Sequence, residues 1–419
     1  MNTRPKPEAV IVISEQDNQI ALVQERGYKV LYFNPIIPLD DALRVDVPVE
    51  VDLNNTDAVL THGLALAERF AVRAVYTLNE YRVPLASRLA GALGLAHHLA
   101  LEAALACRNK KHTKRVLARD GVPTARFALV RTAEEAVAVL GAIPLPVVIK
   151  PSNDAGSALV CRCATPDEVR VAVEAILHQA INTVGQPFDD DILLEEYLDG
   201  PEVSVESCTV GGETTVLALT AKRITPWPLT VETGHTVPAP LPSGEAEAIR
   251  QLVIRGLAAL EVDHAVTHTE VKLTPAGPRI IEVNARRGGD RIAALTRAVT
   301  GYDLAEVALH IALGGTLADA PRHPLVASSA ASRFLIAAHE GNVSLMGIDQ
   351  VAALPGVQEL HLYAQPGQQV ERTTSNLNRW GHLITHATPT QHADDVAEAA
   401  LRMLDFRVHS RTLVACGSL

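Results

Sequence analysis

Residues 268 to 290 hold two glutamates and an asparagine at spacings that could bind a divalent cation. The run T-P-A-G-P predicts a turn between two strands. A hairpin centred on Ala276 would place Glu270 directly opposite Glu282, on the face that carries Asn284. Like charges opposed in a sheet are destabilising by about 0.2–1 kcal/mol, whereas Mg²⁺ takes carboxylates together with substrate phosphates. The segment therefore favours a Mg²⁺–nucleotide site, and the alternative is a solvated hairpin with ordinary surface charges.

Lysines in two other segments could reach the phosphates of such a nucleotide. Lys150 ends the apolar strand P-V-V-I-K-P, and the loop S-N-D-A-G-S-A after it offers the hydroxyls of Ser152 and Ser157. This is not the Walker signature, and a surface lysine at a strand end is the alternative. In the basic run R-N-K-K-H-T-K-R, Lys110 and Lys114 share one helix face. We expect a solvated face for most of these charges, Lys110 excepted.

The stretch I-L-L-E-E-Y-L-D-G-P-E, residues 192–202, could hold the nucleoside. Apolar Leu194 and Leu198 flank a polar pair of glutamates, and a strand leading into a linker offers its backbone to an adenine edge. The carboxylate of Glu202 could accept hydrogen bonds from two ribose hydroxyls. The alternative is an exposed acidic hairpin.

Predicted strands and helices alternate over the first hundred residues, and this alternation predicts an open, mostly parallel sheet. The predicted strands there are Ala9–Ser14, Lys29–Phe33, Ala58–Leu60 and Ala74–Thr77. Further on we predict helices at Leu99–Asp120 and Ile292–Leu313, with a long functional loop at 224–244. An α+β unit follows from about residue 325, closed by an amphipathic helix at Ala393–Phe406.

Composition narrows the class of protein. The chain has 419 residues, which suits two or three domains. With 48 Asp and Glu against 37 Lys and Arg it lacks the basic surface of a general nucleic-acid binder. Five scattered cysteines and no secretory signal predict a cytoplasmic protein with reduced thiols. No apolar stretch approaches the roughly eighteen residues of a membrane helix, so we expect no membrane partner.

Four stretches follow one another in the order typical of the ATP-grasp superfamily, whose carboxylate–amine ligases the chain resembles. They are R-N-K…G-V-P, V-V-I-K-P, E-E-Y-L-D-G-P-E-V-S-V-E and E-V-K-L…I-I-E-V-N-A-R. The loop V-E-T-G-H-T-V-P-A, the tail N-A-R-R-G-G-D and the run L-P-G-V make it most similar to bacterial L-amino acid ligases, which make dipeptides.

The resemblance covers nearly the whole chain and implies a multidomain α/β and α+β protein with the ATP-grasp fold. An N-terminal open parallel α/β domain would occupy residues 1–98. An ATP-grasp domain would occupy 99–320, with a mobile lid subdomain at about 119–192, and a C-terminal α+β subdomain would occupy 321–419. Family members are often dimers, so a homodimer is expected by analogy.

The resemblance also implies site residues for the cofactors ATP and two Mg²⁺ ions, with Mn²⁺ as an alternative. The phosphates would be bound by Lys110, Lys150, Ser152 and Ser157. The adenine would be bound by Glu195 and Leu198, and the ribose by Glu202. The metal ions would be bound by Glu270, Glu282 and Asn284. The loop after Lys150 contains a single glycine, Gly156, so the phosphate cover would depend more on serine hydroxyls than in the family.

The resemblance also implies that Arg286 stabilises the acyl phosphate and the tetrahedral state that follows it. The N–H of Gly289 would serve as an oxyanion donor. His235 and Asp290 would border the amino-acid pocket, where His235 is also a candidate proton acceptor and Asp290 a candidate partner for an α-ammonium group.

The implied reaction joins a carboxylate and an amine in two steps, through an acyl phosphate, and releases ADP and phosphate. Amino-acid substrates and a dipeptide product are expected. Two alternatives remain within the superfamily: an amide ligase of specialised metabolism that takes a non-proteinogenic acid, and an ATP-dependent carboxylase that takes bicarbonate. The E-T-G-H and R-R-G-G-D runs argue against the carboxylase. A non-catalytic nucleotide sensor is the alternative from a different class.

Overall fold

The computed structural model describes residues 5–156, 158–227 and 230–409. Contacts divide the chain into two compact units. Unit 1 comprises the described residues of 1–219, 241–289 and 302–323, and unit 2 those of 220–240, 290–301 and 324–419. Among the described residues, no helix is both long and apolar enough to cross a membrane.

The N-terminal part of unit 1 is a parallel sheet with strand order β3-β2-β1-β4. Its elements are β1 Glu8–Ile13, α1 Gln19–Glu25, β2 Lys29–Asn34, α2 Leu39–Arg44, β3 Val47–Glu50, α3 Thr56–Ala67, β4 Ala71–Tyr76, a 3₁₀ helix Glu80–Arg82 and α4 Val83–Ala92. The predicted open parallel sheet is confirmed. The predicted strand Ala58–Leu60 is wrong, because the side chain of Asn55 accepts a hydrogen bond from the Ala58 N–H and caps α3.

A second, antiparallel sheet of unit 1 has the order β5-β8-β6-β7. The elements in this part are α5 Leu101–Arg108, α6 Lys110–Arg119, β5 Phe127–Val130, α7 Ala133–Val139, β6 Val147–Pro151, β7 Cys161–Cys163, α8 Pro166–Leu177 and β8 Ile192–Glu196. The predicted helix Leu99–Asp120 is interrupted at Asn109, whose extended backbone and side-chain cap start α6. This break sets the direction of the lysines that follow.

The central elements are β9 Glu202–Val210, β10 Glu213–Ile224, β11 Glu232–Val237, α9 Ser243–Ala259, β12 Ala265–Thr274, β13 Gly277–Asn284, α10 Ile292–Thr300, α11 Leu304–Ala312 and a 3₁₀ helix Leu317–Asp319. In unit 1, β12 pairs antiparallel with both β9 and β13. The predicted loop at 224–244 is wrong in part, because it contains β11. The predicted helix Ile292–Leu313 is divided by Gly301, which has a φ of +77°.

Unit 2 carries the antiparallel strands β11-β14-β18-β16 and a small sheet of order β17-β15-β19. Its remaining elements are β14 Ala330–Leu335, β15 Gly341–Met346, α12 Ile348–Ala352, β16 Val357–Leu362, β17 Gln369–Val370, a 3₁₀ helix Asn376–Asn378, β18 Gly381–His386, α13 Ala393–Met403 and β19 Asp405–His409. The predicted C-terminal α+β structure is confirmed, although its closing helix ends at Met403.

The hairpin of β12 and β13 pairs Glu270 with Glu282 as predicted, but by a different route. Thr274 pairs with Gly277, so the turn is centred half a residue before the predicted position and the register near it is off by one. Ile281 is an extra residue in β13 that restores the pairing of the two glutamates. A β-bulge therefore corrects the register just where the carboxylates must meet.

Gly200, between β8 and β9, occupies a position where both the backbone conformation and the close approach of β12 require glycine. Its φ is +135°, and a Cβ built there would lie 1.9 Å from the carbonyl oxygen of Leu273. Gly212, in the turn after β9, also has a positive φ, of +77°, but its Cβ would meet nothing within 4 Å. Both substitutions by alanine strain the backbone, and only Gly200→Ala adds an overlap with β12.

We expect Gly200→Ala to lower the free energy of unfolding by about 2 kcal/mol more than Gly212→Ala. Urea unfolding of the two variants, followed by circular dichroism, measures this difference. Equal midpoints would show that the approach of Gly200 to β12 is not needed for stability.

Candidate active site

One face of β9, β12 and β13 in unit 1 is lined with polar side chains, which we call the polar floor. Directly opposed residues share a face of a sheet, and the register gives two rows across the three strands. The rows are Ser204–Glu270–Glu282 and Glu206–His268–Asn284. The opposite face supplies buried valines to the core, among them Val205 and Val283. The sheet therefore brings together Glu270, Glu282 and Asn284, as the sequence predicted.

The donors at one end of the polar floor fit a hard cation. One terminal amide atom of Asn284 lies 3.1 Å from Oε1 of Glu282 and 3.2 Å from both carboxylate oxygens of Glu80. With the amide nitrogen turned toward them, it donates hydrogen bonds to both carboxylates. With the oxygen turned toward them, the spacing matches adjacent ligands of octahedral Mg²⁺, which lie about 3 Å apart. These residues are all oxygen donors, so they fit Mg²⁺.

Three lysines approach the polar floor, and all are buried. Glu195 forms ion pairs with two of them, with its Oε1 2.9 Å from Nζ of Lys114 and its Oε2 2.7 Å from Nζ of Lys150. Nζ of Lys110 lies 3.3 Å from Oε1 of Glu282 and donates to the carbonyl of Asp154 at 2.6 Å. The expectation that Lys114 lies on a solvated face is wrong, because its side chain is fully buried.

Lys150 and Lys114 remain charged at neutral pH although burial disfavours the charged form of a lysine. Burial alone would lower the pKa of Lys150, but the carboxylates of Glu195, Glu282 and Glu270 together outweigh it and hold that pKa above its ordinary value. For Lys114 burial prevails, and its pKa falls to about 8 although Glu195 opposes the shift. Burial raises the pKa of Glu195, yet the two lysines lower it further than burial raises it. Glu195 is thus the counter-ion that keeps a lysine charged beside the site.

The residues predicted to contact the rest of ATP also belong to unit 1. The hydroxyl of Ser152 is buried and has no hydrogen-bond partner among the described residues. A buried hydroxyl of this kind is expected where a ligand supplies the partner. Leu198 is half-buried in the segment after β8. Glu202 lies 3.4 Å from Nζ of Lys272. Ser157 lies outside the described residues.

Arg286 and Gly289 follow β13 in unit 1. The Nε of Arg286 lies 3.0 Å from Oε2 of Glu80, and its Nη1 donates to the carbonyl of Arg287 at 2.6 Å. A Cβ built on Gly289 would meet nothing within 4 Å, so open space lies beside this residue. The guanidinium is therefore held in place by Glu80, which also faces Asn284.

His268 and Glu206 form a buried pair in the second row of the polar floor. Burial alone would lower the pKa of His268, but the Glu206 carboxylate outweighs burial and raises that pKa to about 9. The pair is therefore an ion pair at neutral pH in the protein without bound ligands.

His235 and Asp290 belong to unit 2, where they lie with Glu232. One ligand atom from each of the three residues lies within 4.8 Å of the others, and Nε2 of His235 is 3.2 Å from Oε2 of Glu232. Two cations balance the carboxylates: Lys222 lies 2.9 Å from Glu232, and Arg379 donates to both oxygens of Asp290 at 2.5 and 3.0 Å. Because these side chains already neutralise the carboxylates, this cluster does not need a metal ion.

The pKa of Glu232 is held well below its ordinary value. Burial raises it, but Lys222 and His235 lower it more. Glu232 is thus a persistent anion beside the fully buried His235. The cluster can orient an ammonium group or accept its proton.

Sequence reasoning missed several of these residues, although some signals were present. Glu80 follows the carboxyl end of β4, where open α/β sheets present ligand-binding side chains. Glu206 and His268 stand inside motifs that were singled out for other residues. In unit 2, Lys222 and Arg379 carried no signal, because nothing in the sequence places them beside the carboxylates of Glu232 and Asp290.

Comparison with known proteins decides the family. The ATP-grasp domain family matches residues 143–294, and the L-amino acid ligase C-terminal domain 2 family matches residues 333–409. This chain contains an ATP-grasp domain. Its computed structure resembles the crystal structure of an L-amino acid ligase from Bacillus licheniformis, with a TM-score of 0.76, 22% identity and coverage of 97% of this chain and 100% of that chain. The predicted family resemblance and fold class are confirmed.

Two named relatives are a synthase and a ligase. This chain is 29% identical over 223 residues to carnosine synthase 1 of Gallus gallus, covering 52% of this chain and 24% of that protein. It is 26% identical over 281 residues to alanine–anticapsin ligase of Bacillus subtilis, covering 63% of this chain and 59% of that protein. An uncharacterized protein of Sinorhizobium fredii is 29% identical, covering 88% of this chain and 74% of that protein.

This ATP-grasp chain thus spans about a quarter of the carnosine synthase and three fifths of the anticapsin ligase. The comparisons relate it to the ATP-grasp ligases, a family that generally uses ATP with Mg²⁺.

Proposed function

We propose that this chain is an ATP-dependent carboxylate–amine ligase that forms an amide bond, in a dipeptide, through an acyl phosphate. The observation that carries the proposal is the polar floor, where Glu270 opposes Glu282 beside buried Lys110 and Lys150. Opposed carboxylates destabilise a sheet, and buried lysines are costly unless they are paired. An ATP–metal complex needs both.

In the first step a carboxylate oxygen attacks the γ-phosphorus of ATP, an acyl–oxygen–phosphorus bond forms, and ADP leaves. The carboxylate and the triphosphate are both anionic, so charge neutralisation and positioning dominate the catalysis. Lys110 and Lys150 would bind the phosphates, and Ser152 would donate its free hydroxyl. Glu270, Glu282 and Asn284 would hold Mg²⁺, which when bound neutralises the charge that develops on the phosphates.

In the second step the amine nitrogen attacks the acyl carbon, and phosphate leaves. Arg286 would stabilise the negative charge of the tetrahedral state, and the N–H of Gly289 would donate to its oxyanion. The attacking amine must lose protons, and His235 beside Glu232 is the proposed acceptor. Asp290 is paired with Arg379 and Glu232 with Lys222, so either carboxylate would share an ammonium group with a cation that it already binds.

We further propose the three-domain division given above, with residues 119–192 as a lid that excludes water from the acyl phosphate. Contacts between this segment and the N-terminal part support it: Tyr81 donates to Asp154 at 2.8 Å, and Asn54 donates to the carbonyl of Val184 at 2.9 Å. An acyl phosphate that is shielded from water survives until the amine attacks it.

A ligase of specialised metabolism would use the same chemistry with a non-proteinogenic acid. The 26% identity to alanine–anticapsin ligase favours this candidate over the carboxylase. The two candidates share the first step and differ in the substrates.

A phosphate-release assay with Mg²⁺–ATP tests the proposal and separates these candidates. The panel is pairs of amino acids, single amino acids with unrelated amines, bicarbonate, and no acceptor. We expect release to require an acid and an amine together, because the acyl phosphate must be consumed for turnover. Release with bicarbonate alone would support the carboxylase, and no release with any combination would contradict a ligase.

A further inference from the structure

A buried carboxylate in the polar floor touches neither ATP nor substrate in the mechanism above. Glu206 has no exposed surface. Its Oε1 lies 2.5 Å from Nδ1 of His268, and its Oε2 accepts a hydrogen bond from the Gly288 N–H at 2.9 Å. A buried carboxylate is costly unless all its oxygens are bonded. Glu206 therefore holds two separate elements at once.

The first of these elements leads to the proposed metal ligands. His268 lies directly opposite Glu206 on β12, and its other ring nitrogen, Nε2, is 3.6 Å from Oε1 of Glu270. A histidine that is fixed on one side by a carboxylate presents its other nitrogen in one orientation. The contact between His268 and Glu270 is an ion-pair distance, so the orientation of His268 acts on the Glu270 carboxylate through charge.

The second element is the loop after β13. Gly288 lies between Arg286 and Gly289, the residues proposed to act on the acyl group. A Cβ built on Gly288 would lie 2.8 Å from Nδ1 of His268 and 3.0 Å from Oε1 of Glu206. The loop backbone thus packs directly on the ion pair, and glycine allows this approach.

We propose that Glu206 is a positioning residue that couples the metal ligand Glu270 to the acyl-side loop 286–289. This inference rests on the proposed function, because it assigns a support to the two halves of that site. Movement at one end of the Glu206–His268 pair would be transmitted to the other end. The metal side and the acyl side are then aligned by a single buried carboxylate.

The test compares Glu206→Gln with Ser207→Ala. Ser207 is the next residue of β9, and its hydroxyl lies 2.7 Å from that of Thr267 on the opposite face of the same two strands. Ser207→Ala therefore removes a buried cross-strand hydrogen bond without touching the polar floor. A merely structural role of Glu206 would make the two variants behave alike.

The first readout is the ratio of ADP dissociation constants without and with Mg²⁺, measured by isothermal titration calorimetry. We expect Glu206→Gln to reduce the Mg²⁺ enhancement about tenfold, since loss of a carboxylate that supports a ligand weakens metal binding 10–100-fold. Ser207→Ala should keep the wild-type ratio. The second readout is hydrogen exchange of the peptide that spans 286–289, which should become faster only in Glu206→Gln.

Gly288→Ala is a second variant, for the case that Glu206→Gln does not fold. Its added methyl group displaces His268, so it should also reduce the Mg²⁺ enhancement although it lies in the loop. If both variants keep the wild-type ratio, the coupling is overturned while the proposed function stands. If wild-type protein binds ADP equally well with and without Mg²⁺, the proposed function fails and the inference fails with it.

Discussion

Replacement of Glu282 by Gln should reduce Mg²⁺-dependent ADP formation about 10³-fold, the size of effect seen when one preorganised electrostatic group is lost. Gln keeps the shape of the side chain but removes the charge that opposes Glu270. It also removes the ionic partner of Lys110 at 3.3 Å. Coupled release of ADP, followed with saturating ATP over a series of Mg²⁺ concentrations, measures the loss.

Glu245→Gln is the control for this substitution, because Glu245 is exposed in the first turn of α9. It changes the net charge by the same amount and should keep the wild-type rate. Urea midpoints of Glu282→Gln and wild type should agree within experimental error, because relief of the carboxylate pair offsets the lost ion pair. A near-wild-type rate for Glu282→Gln at saturating Mg²⁺ would remove this residue from the site.

The second large effect concerns stability. Lys114→Met should lower the free energy of unfolding by about 3 kcal/mol, because breaking a buried ion pair leaves the partner carboxylate of Glu195 buried with less compensating charge. Glu195 would keep only Lys150, while Thr124 would lose the donor that lies 2.7 Å from its hydroxyl. The apparent KM for ATP should rise as well, since Glu195 would pull Lys150 more strongly.

The neighbouring Arg115→Met is the matched control, because Arg115 is exposed on the same helix. It removes one positive charge from α6 and should change the unfolding free energy by less than about 0.5 kcal/mol. Equal midpoints for the two variants in urea unfolding would mean that Glu195 does not depend on Lys114.

The pairing of the proposed metal ligands could be predicted because period two and turn chemistry are local properties of a strand pair. Those rules placed Glu270 opposite Glu282 but could not predict the bulge at Ile281, which depends on how β13 packs. Lys114 was misjudged for a related reason. The sequence shows that Lys110 and Lys114 share a helix face, but exposure depends on β8, which brings Glu195 against that face.

Contacts between distant parts of the chain were the least predictable. Glu80 meets Arg286 from more than two hundred residues away, and neither flanking sequence indicates the other. The errors in secondary structure have the same origin. Residues 58–60 have an apolar run suited to either a strand or a helix, and the side chain of Asn55 decides for the helix.

The acyl phosphate is the central claim of the account, and oxygen transfer tests it most directly. An acid substrate labelled with ¹⁸O in its carboxylate is turned over with its amine partner and Mg²⁺–ATP, and the released phosphate is observed by ³¹P NMR. The account predicts one ¹⁸O atom in each phosphate, because the carboxylate oxygen that attacks phosphorus leaves with it. Unlabelled phosphate from a reaction that yields the amide would contradict the account.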